Sequence, residues 1–151
     1  MVDSRDKGAR AETAVKEVLR KDTGLNWERV PGSGALNEKH GLKGDLYIPN
    51  ERNHYCVEVK HYAEDHLNSS LLSGKNPQLL QWWTQAVRQS RQVNKIPLLI
   101  FKHDRSKLFA AFGGLPEAAY NYMCINVNGA EVFVALLTDY LKYEKPEFIF
   151  V

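Results

Sequence analysis

The chain of 151 residues lacks most features that mark a specialised class of protein. Its only two cysteines, Cys56 and Cys124, are far apart, and its five histidines show no zinc spacing. These absences argue against a disulfide framework and against a structural zinc site. No apolar run reaches the roughly 18 residues that a membrane span needs, and the charged first ten residues do not follow the plan of a signal peptide. We therefore expect a cytoplasmic protein that makes no use of a membrane.

What the sequence does contain is typical of one globular domain. Hydrophobic residues make up 44% of the chain and charged residues 25%, which are ordinary globular fractions. A domain of this length buries roughly two-thirds of the surface that its unfolded chain exposes. Because no repeat, linker or low-complexity segment interrupts the sequence, residues 1–151 are predicted to form a single domain.

Charge is unevenly distributed, although the net charge is only +2. Residues 1–74 carry 11 Lys or Arg against 12 Asp or Glu, residues 75–107 carry 7 against 1, and residues 108–151 carry 2 against 5. A basic middle segment of this kind is typical of a surface that attracts phosphate backbones. Charge alone is equally compatible with a solvated basic face that binds nothing.

Hydrophobic periodicity predicts alternating helices and strands. The predicted helices cover residues 5–21, 77–94 and 130–142, and the predicted strands cover 27–30, 44–48, 54–61, 97–102, 108–112 and 124–127. This order indicates an α/β fold with a mixed central sheet flanked by helices. Within the second helix Trp83 is assigned to the core, and Trp82 to another side where it could stack on a base or cover a dimer interface.

Three acidic residues and one lysine are the candidate reactive group. Glu58 and Lys60 are two apart on a strand, so their side chains leave the same face with Cα atoms roughly 7 Å apart. Asp45 begins an earlier strand, and a hairpin pairing would set it beside Glu58. Glu12 lies in or beside the apolar stripe of the first helix, where it either reaches the rim or faces the same site.

Carboxylates beside a lysine suit phosphate chemistry. A carboxylate can hold a hard divalent cation, while a nearby ammonium orients or deprotonates a water and offsets charge on a phosphate. An acid-x-Lys tripeptide is weak evidence by itself, since about one is expected by chance in a chain of this composition. The alternative is a set of solvated charges on an open sheet face. An apolar strand is typical of a covered sheet, where charges need partners.

The order of these residues resembles that of the PD-(D/E)XK nuclease superfamily, and within it that of the archaeal-type Holliday junction resolvases. The likeness rests on Lys7-Gly8-Ala9-Arg10-Ala11-Glu12, on Arg29 to Ala35, on Gly44-Asp45 and on Glu58-Val59-Lys60. It covers roughly residues 5–102. In one departure, Gly44 stands where the family often has proline.

The resemblance implies a restriction-endonuclease-like core and metal-dependent hydrolysis of DNA phosphodiesters that leaves 5′-phosphate and 3′-hydroxyl ends. It implies that Asp45 and Glu58 bind Mg²⁺ with the carbonyl of Val59, and that Mn²⁺ can substitute. Lys60 would position or activate the attacking water, and Glu12 would reach the metal directly or through water. It also implies a homodimer acting on branched DNA.

Further residues are candidates for contacts with DNA. By resemblance, the Gly32-Ser33-Gly34 loop contacts the substrate, with Arg29 and Ser33 on phosphates. Five glutamines lie along one stripe of the second predicted helix beside a basic stripe, and related nucleases place such a glutamine near the metal. A polar solvent face is the alternative, since glutamine is a good helix former. The full set of candidates is Arg29, Ser33, Lys43, Gln81, Gln85, Arg88, Arg91 and Lys95.

Other functions stay open at this point. A nuclease of the same fold could act on another DNA substrate as a nicking, recombination or repair endonuclease. A non-catalytic DNA-binding module is a second alternative, and the intact set Glu12, Asp45, Glu58 and Lys60 argues against it. A purely structural or interaction domain would need both the basic segment and the acid–lysine group to be coincidental.

Overall fold

A computed structural model describes residues 4–31 and 42–150, and a seven-stranded sheet forms its centre. The strands are β1 (Glu28–Arg29), β2 (Leu46–Tyr47), β3 (Tyr55–Tyr62), β4 (Ile96–His103), β5 (Phe109–Phe112), β6 (Tyr122–Val127) and β7 (Ala130–Leu136). The helices are α1 (Ser4–Thr23), α2 (Ser70–Ser73), α3 (Gln78–Gln92) and α4 (Leu137–Glu144). The predicted α/β class with a mixed sheet flanked by helices is confirmed.

The sheet has the order β1-β2-β3-β4-β5-β7-β6, which places β3 inside it. β3 and β4 are parallel, from Tyr55 opposite Ile96 to Tyr62 opposite His103. The remaining ladders of the described sheet are antiparallel. Because parallel neighbours need a crossover connection, α3 runs back along β3 before β4 begins.

The sheet separates two hydrophobic cores. One face packs against α1 and α4, and Val57 and Val59 of β3 belong to this core. The other face packs against α3, through residues such as Leu79, Ala86 and Leu99. Because successive strand residues point to opposite faces, Glu58 and Lys60 leave β3 on the α3 side.

The helix predicted at residues 130–142 is wrong in its first half. Ala130–Leu136 is strand β7, paired with both β5 and β6, and α4 begins only at Leu137. Asn128 and Gly129 have positive φ angles of 52° and 79°, as the two-residue turn of a β-hairpin requires. The Asn-Gly pair is thus the signal for a hairpin, and the helical spacing of Val134, Leu137 and Leu141 is misleading because a strand runs directly into a helix.

Other segments also differ from expectation. Residues 62–76, between the third predicted strand and the second predicted helix, contain the short helix α2, which the hydrophobic pattern did not predict. Trp82 and Trp83 are both buried, with 4% and 6% of their surface exposed, so Trp82 does not itself present an open stacking face. In the part of the chain that the structure covers, no helix combines the length and apolar character needed to cross a membrane.

The apolar segment near residue 150, whose role the sequence pattern leaves undefined, packs into the fold. Phe148 is buried, and its ring lies 5.0 Å from both the Trp27 and Tyr55 rings. Ile149 forms an isolated bridge with Asn53. The segment therefore completes the core beside the start of β3.

Candidate active site

Asp45 is fixed against β3 by its backbone and its side chain. Its N–H donates to the Val57 carbonyl at 2.7 Å, and its own carbonyl accepts from the Val30 N–H at 2.9 Å. Its carboxylate oxygen Oδ2 accepts from the Val59 N–H at 2.7 Å. Since Leu46 is opposite Val57, Asp45 lies next to Glu58, which is the pairing that the sequence predicted.

Gly44 makes this position of Asp45 possible. Its φ is +86°, and a Cβ atom built on it would lie 2.7 Å from the Val57 carbonyl oxygen. Proline, which holds φ near −65°, cannot adopt this conformation, and other side chains would both be strained and clash with β3. The departure from the proline of the family pattern therefore has a structural reason.

Glu58 is a buried acid in the middle of β3, with 4% of its surface exposed. Burial raises the pKa of its carboxyl group, while a hydrogen bond with Asp45 and the charge of Lys60 lower it. Lys60 is partly buried on the same face of the strand. A buried carboxylate needs such partners, because its desolvation is otherwise costly.

Asp45 has the most perturbed carboxyl group of the site. Burial and, next, the charge of the neighbouring Glu58 together raise its pKa to about 6, although the hydrogen bond from the Val59 N–H opposes the shift. Two carboxylates this close favour holding a proton or a cation between them. The site is therefore short of positive charge at neutral pH.

Glu12 reaches the same place from α1. Its carboxyl group lies within hydrogen-bonding reach of Asp45, and its Oε2 accepts from Arg29 Nε at 3.0 Å. Burial and Asp45 raise the pKa of Glu12, whereas Arg29 lowers it. The predicted phosphate contact Arg29 is thus paired with Glu12, with its side chain 46% exposed.

The acids form a chain, Glu12 to Asp45 to Glu58, rather than a closed cluster. Across residues 4–31 and 42–150, no three His, Cys, Asp or Glu side chains converge on one point that could hold a metal ion. The pair Asp45 and Glu58 nevertheless fits a hard divalent cation, which prefers oxygen ligands and would offset their repulsion. The Val59 carbonyl leaves the strand on the same side as its N–H, toward Asp45, and could complete the donor set.

A groove of about 480 Å³ adjoins Lys60 on the α1 face of the sheet. Apolar residues of α1 and β3 line its walls, together with the basic residues Lys7, Arg10 and Lys102. Lys60 borders the groove as well, but its side chain leaves β3 on the other face of the sheet. At one end of the groove, Asp104 Oδ1 lies 2.9 Å from His61 Nε2 and 3.8 Å from Lys7 Nζ. Lys7, Arg10 and Lys102 can therefore attract an anionic chain to this groove, on the face of the sheet opposite the Lys60 side chain.

The α3 candidates occupy two places. Gln81, Gln85 and Arg88 line a second surface groove of about 330 Å³ together with Trp82. Gln81 already donates from Nε2 to the Asn76 carbonyl at 2.7 Å. Arg91, which is exposed, does not line this groove.

The remaining candidates are placed as follows. Lys43 is near enough to Glu58 to lower its pKa. Lys95 lies beside Cys56 at the start of β3, and its burial lowers its pKa. Ser33 and its glycine loop lie outside the described residues. The structure thus brings Lys43 to the acidic pair. Lys95 lies instead beside Cys56, two residues before Glu58 on β3.

Gln89 is a further candidate residue, which the sequence pattern did not single out. It lies seven residues after Trp82, hence on the same side of α3, and Trp82 contacts Tyr62 of β3. Seven helical residues rise about 10.5 Å, or about three strand residues, so Gln89 lies at about the level of Val59, between Glu58 and Lys60. Its Oε1 atom is buried without a hydrogen-bond partner in the structure. The five-glutamine stripe contained this signal, but periodicity cannot say which member is level with the acids.

Comparisons with known proteins identify the family of the chain. A curated relative, "Protein D14" of Escherichia phage T5, is 41% identical over 154 residues, which cover 97% of this chain and 96% of the relative. The structure of Hjc from Archaeoglobus fulgidus, described as a Holliday junction resolvase, aligns with a TM-score of 0.45 at 18% identity over 95% of this chain and 92% of that one. The model of the family described as "Phage putative PDDEXK endonuclease" matches residues 3–145. The chain therefore belongs to this family of phage PDDEXK endonucleases.

Proposed function

We propose that the protein is a divalent-metal-dependent DNA endonuclease with a preference for branched DNA, similar to a Holliday junction resolvase. The observation that carries the proposal is the adjacent pair of Asp45, which is partly buried, and Glu58, which is buried, with Lys60 on the same strand as Glu58. Membership in a family of phage endonucleases supports the coarser part of it. Recombination or repair of DNA in the cytoplasm is the role that such an activity would serve.

Each residue of the site has a chemical task in this proposal. Asp45 and Glu58, with the Val59 carbonyl, would hold Mg²⁺ or Mn²⁺. Such an ion supplies Lewis-acid stabilisation of the phosphate and a more acidic water. Lys60 would orient the attacking water and offset charge that develops on the phosphate.

Glu12 would act from the far side of Asp45. Its carboxyl group touches Asp45 and Arg29 together, so it can hold Asp45 in place and accept a hydrogen bond from a water. The products would carry 5′-phosphate and 3′-hydroxyl ends. A homodimer is part of the proposal, because one basic surface of a chain this small covers little of a branched substrate.

The test is a cleavage assay with labelled four-way junction, nicked duplex, intact duplex and single strand, in Mg²⁺, Mn²⁺ or EDTA. We expect symmetric cuts in the junction that need the metal. Asp45→Asn and Lys60→Met should each reduce the rate by at least about a hundredfold, the scale on which general acid–base or charge-stabilising groups contribute. Asp22→Asn, which removes an exposed acid at the other end of α1, should cut normally.

Three outcomes are decisive. Absence of cleavage of every substrate with either metal would refute the proposed nuclease activity. Equal cutting of intact duplex and junction would refute the structural preference and leave a general endonuclease. Full activity of Asp45→Asn would show that the chemistry takes place elsewhere.

A further inference from the structure

An exposed aromatic ring continues the line of reactive residues on β3. Glu58, Lys60 and Tyr62 are alternate residues of this strand, so they share one face, with Cα atoms about 7 Å apart at each step. Exposure increases along the line, from 4% at Glu58 to 46% at Tyr62. A strand of DNA whose phosphate lies at Lys60 would therefore pass the Tyr62 ring next.

The Tyr62 ring is held in place by other rings. It packs against Trp82 in a tilted arrangement, with ring centroids 4.9 Å apart and an interplanar angle of 31°. His66 meets both rings edge-on, at 6.2 Å from Tyr62 and 5.0 Å from Trp82. Trp82 is 4% exposed and lies against Phe101 of the core. Because the ring is already ordered, binding a ligand on it costs little conformational entropy.

The surface on the far side of this ring stack also fits a nucleic acid. Trp82 lines the second groove together with Gln81, Gln85 and Arg88, which offers amide groups and a cation beyond the rings. The nearby acidic residue Asp65 is engaged by the Leu67 N–H at 2.7 Å and lies 3.8 Å from His103. The order along the surface is thus acids, lysine, aromatic ring, and then amides with an arginine.

Another exposed tyrosine has a comparable setting without this context. Tyr143 is 41% exposed and stacks on Tyr120 at 5.5 Å. It lies on α4, on the opposite face of the sheet from Glu58 and Lys60. It therefore controls for the general effect of removing an exposed, stacked tyrosine.

We propose that Tyr62, supported by Trp82, stacks on an unpaired nucleobase next to the phosphate that is cut. The substrate class that follows is DNA with an unstacked base near the cleavage point, as at a branch, a flap or a single-stranded end. The base has a π-face whatever its identity, so this contact selects structure rather than sequence. The inference rests on the proposed nuclease function and specifies how its site would recognise a substrate.

The experiment measures binding and cleavage of two matched DNA molecules, one fully paired and one with a single unpaired 2-aminopurine beside the cut. Binding is measured in EDTA from the fluorescence of 2-aminopurine, which falls when the base stacks. Tyr62→Leu should bind the unpaired substrate about tenfold more weakly, the order of effect that base–aromatic stacking has, without the fall in fluorescence. Tyr62→Phe, which keeps the ring, should stay within about twofold of the parent protein.

Controls separate stacking from folding. Tyr143→Leu should behave like the parent protein, and Tyr62→Thr, which suits a strand, should repeat the result of Tyr62→Leu with an unchanged circular dichroism spectrum. Equal binding of the unpaired substrate by parent and Tyr62→Leu would overturn the inference, as would an equal loss on the fully paired DNA. If no DNA is cut but the fluorescence still falls only when the ring is present, the nuclease function fails and the stacking site stands.

Discussion

At the scale of single residues, the site works against the stability of the fold. Asp45 and Glu58 place two acidic groups side by side in a largely desolvated position, and the pKa values of both are raised. A raised pKa means that the folded protein binds a proton more tightly than the unfolded chain does. Ionisation of these acids therefore destabilises the metal-free protein.

This cost predicts how stability depends on pH. The pKa of Asp45 rises from 3.8 to about 6 on folding, so between these values the folded state carries the extra proton. The free energy of unfolding should fall as the pH rises through this range and level off above about 6. Asp45→Asn should therefore melt at least about 3 °C higher than the parent protein at pH 7.5 without metal, and show little difference near pH 4.

The measurement is thermal unfolding in EDTA at pH 4, 5, 6 and 7.5. Asp22→Asn provides the matched control, because Asp22 is exposed and no acid of the site is near it in the sequence. A lower melting temperature of Asp45→Asn at pH 7.5 would contradict the prediction. It would mean that the hydrogen bond from the Val59 N–H outweighs the repulsion.

At the scale of elements, Gly44 and β3 act as one unit. The positive φ of Gly44 brings Asp45 onto the β3 edge, and the space for a Cβ atom is taken by the Val57 carbonyl. Gly44→Ala should lower the stability by about 1–3 kcal/mol, the usual cost of a strained backbone position. It should also reduce cleavage, because the Asp45 carboxylate must shift with the backbone.

Differential scanning calorimetry and the junction assay test this prediction. Gly114→Ala is the comparison, since Gly114 is exposed, has no heavy atom within 4 Å of an added Cβ and has no positive φ. A parent-like melting temperature together with full activity for Gly44→Ala would contradict it.

The elements also explain which predictions from the sequence succeeded. β3 alternates cleanly between apolar and polar residues, so its face assignment and the Asp45–Glu58 pairing were accessible. The strand β7 could not be predicted in this way. Val132 to Leu136 is apolar on both faces and runs directly into α4, so the whole segment has the pattern of a buried helix. The placement of Gln89 and of the Tyr62 ring depends on how α3 lies along β3, which no local pattern encodes.

At the scale of the whole molecule, the sheet ends in an edge that invites another strand. β6 has no charged residue, and Tyr122 and Met123 are more than 40% exposed. Edge strands without charges, proline or cover tend to pair with another chain. We propose that the partner is a second copy of the protein. The β6 strand has no charged residue that could attract an oppositely charged strand of another protein.

The register of such a dimer can be derived. Val127 and Ala130 flank the two-residue turn and face each other, so Tyr122, Cys124 and Asn126 direct their backbone N–H and C=O groups away from β7. Antiparallel pairing about Cys124 matches each of these residues with a counterpart: Tyr122 with Asn126, and Cys124 with itself. The two Cys124 Cα atoms would then be about 5.5 Å apart, within reach of a disulfide.

Oxidative cross-linking tests this interface. Mild oxidation should convert the parent protein into a covalent dimer on a non-reducing gel. Cys124→Ser should abolish the cross-link, and Cys56→Ser should retain it, because Cys56 is buried and Cys124 is exposed. A dimer in sedimentation experiments that never cross-links through Cys124 would place the interface elsewhere, and a monomer would exclude the dimer.

The segment around Phe148 has a consequence for the newly made chain. Backbone hydrogen bonds join His54 to Phe148 and Phe150 to Arg52, each at 2.9 Å, directly before β3 begins. Translation produces Glu12, Asp45, Glu58 and Lys60 long before it reaches these residues. A ribosome that stalls in between would release a fragment that contains every proposed catalytic group but lacks the two hydrogen bonds to the segment before β3. We expect such a fragment to be unfolded and degraded rather than to cut DNA.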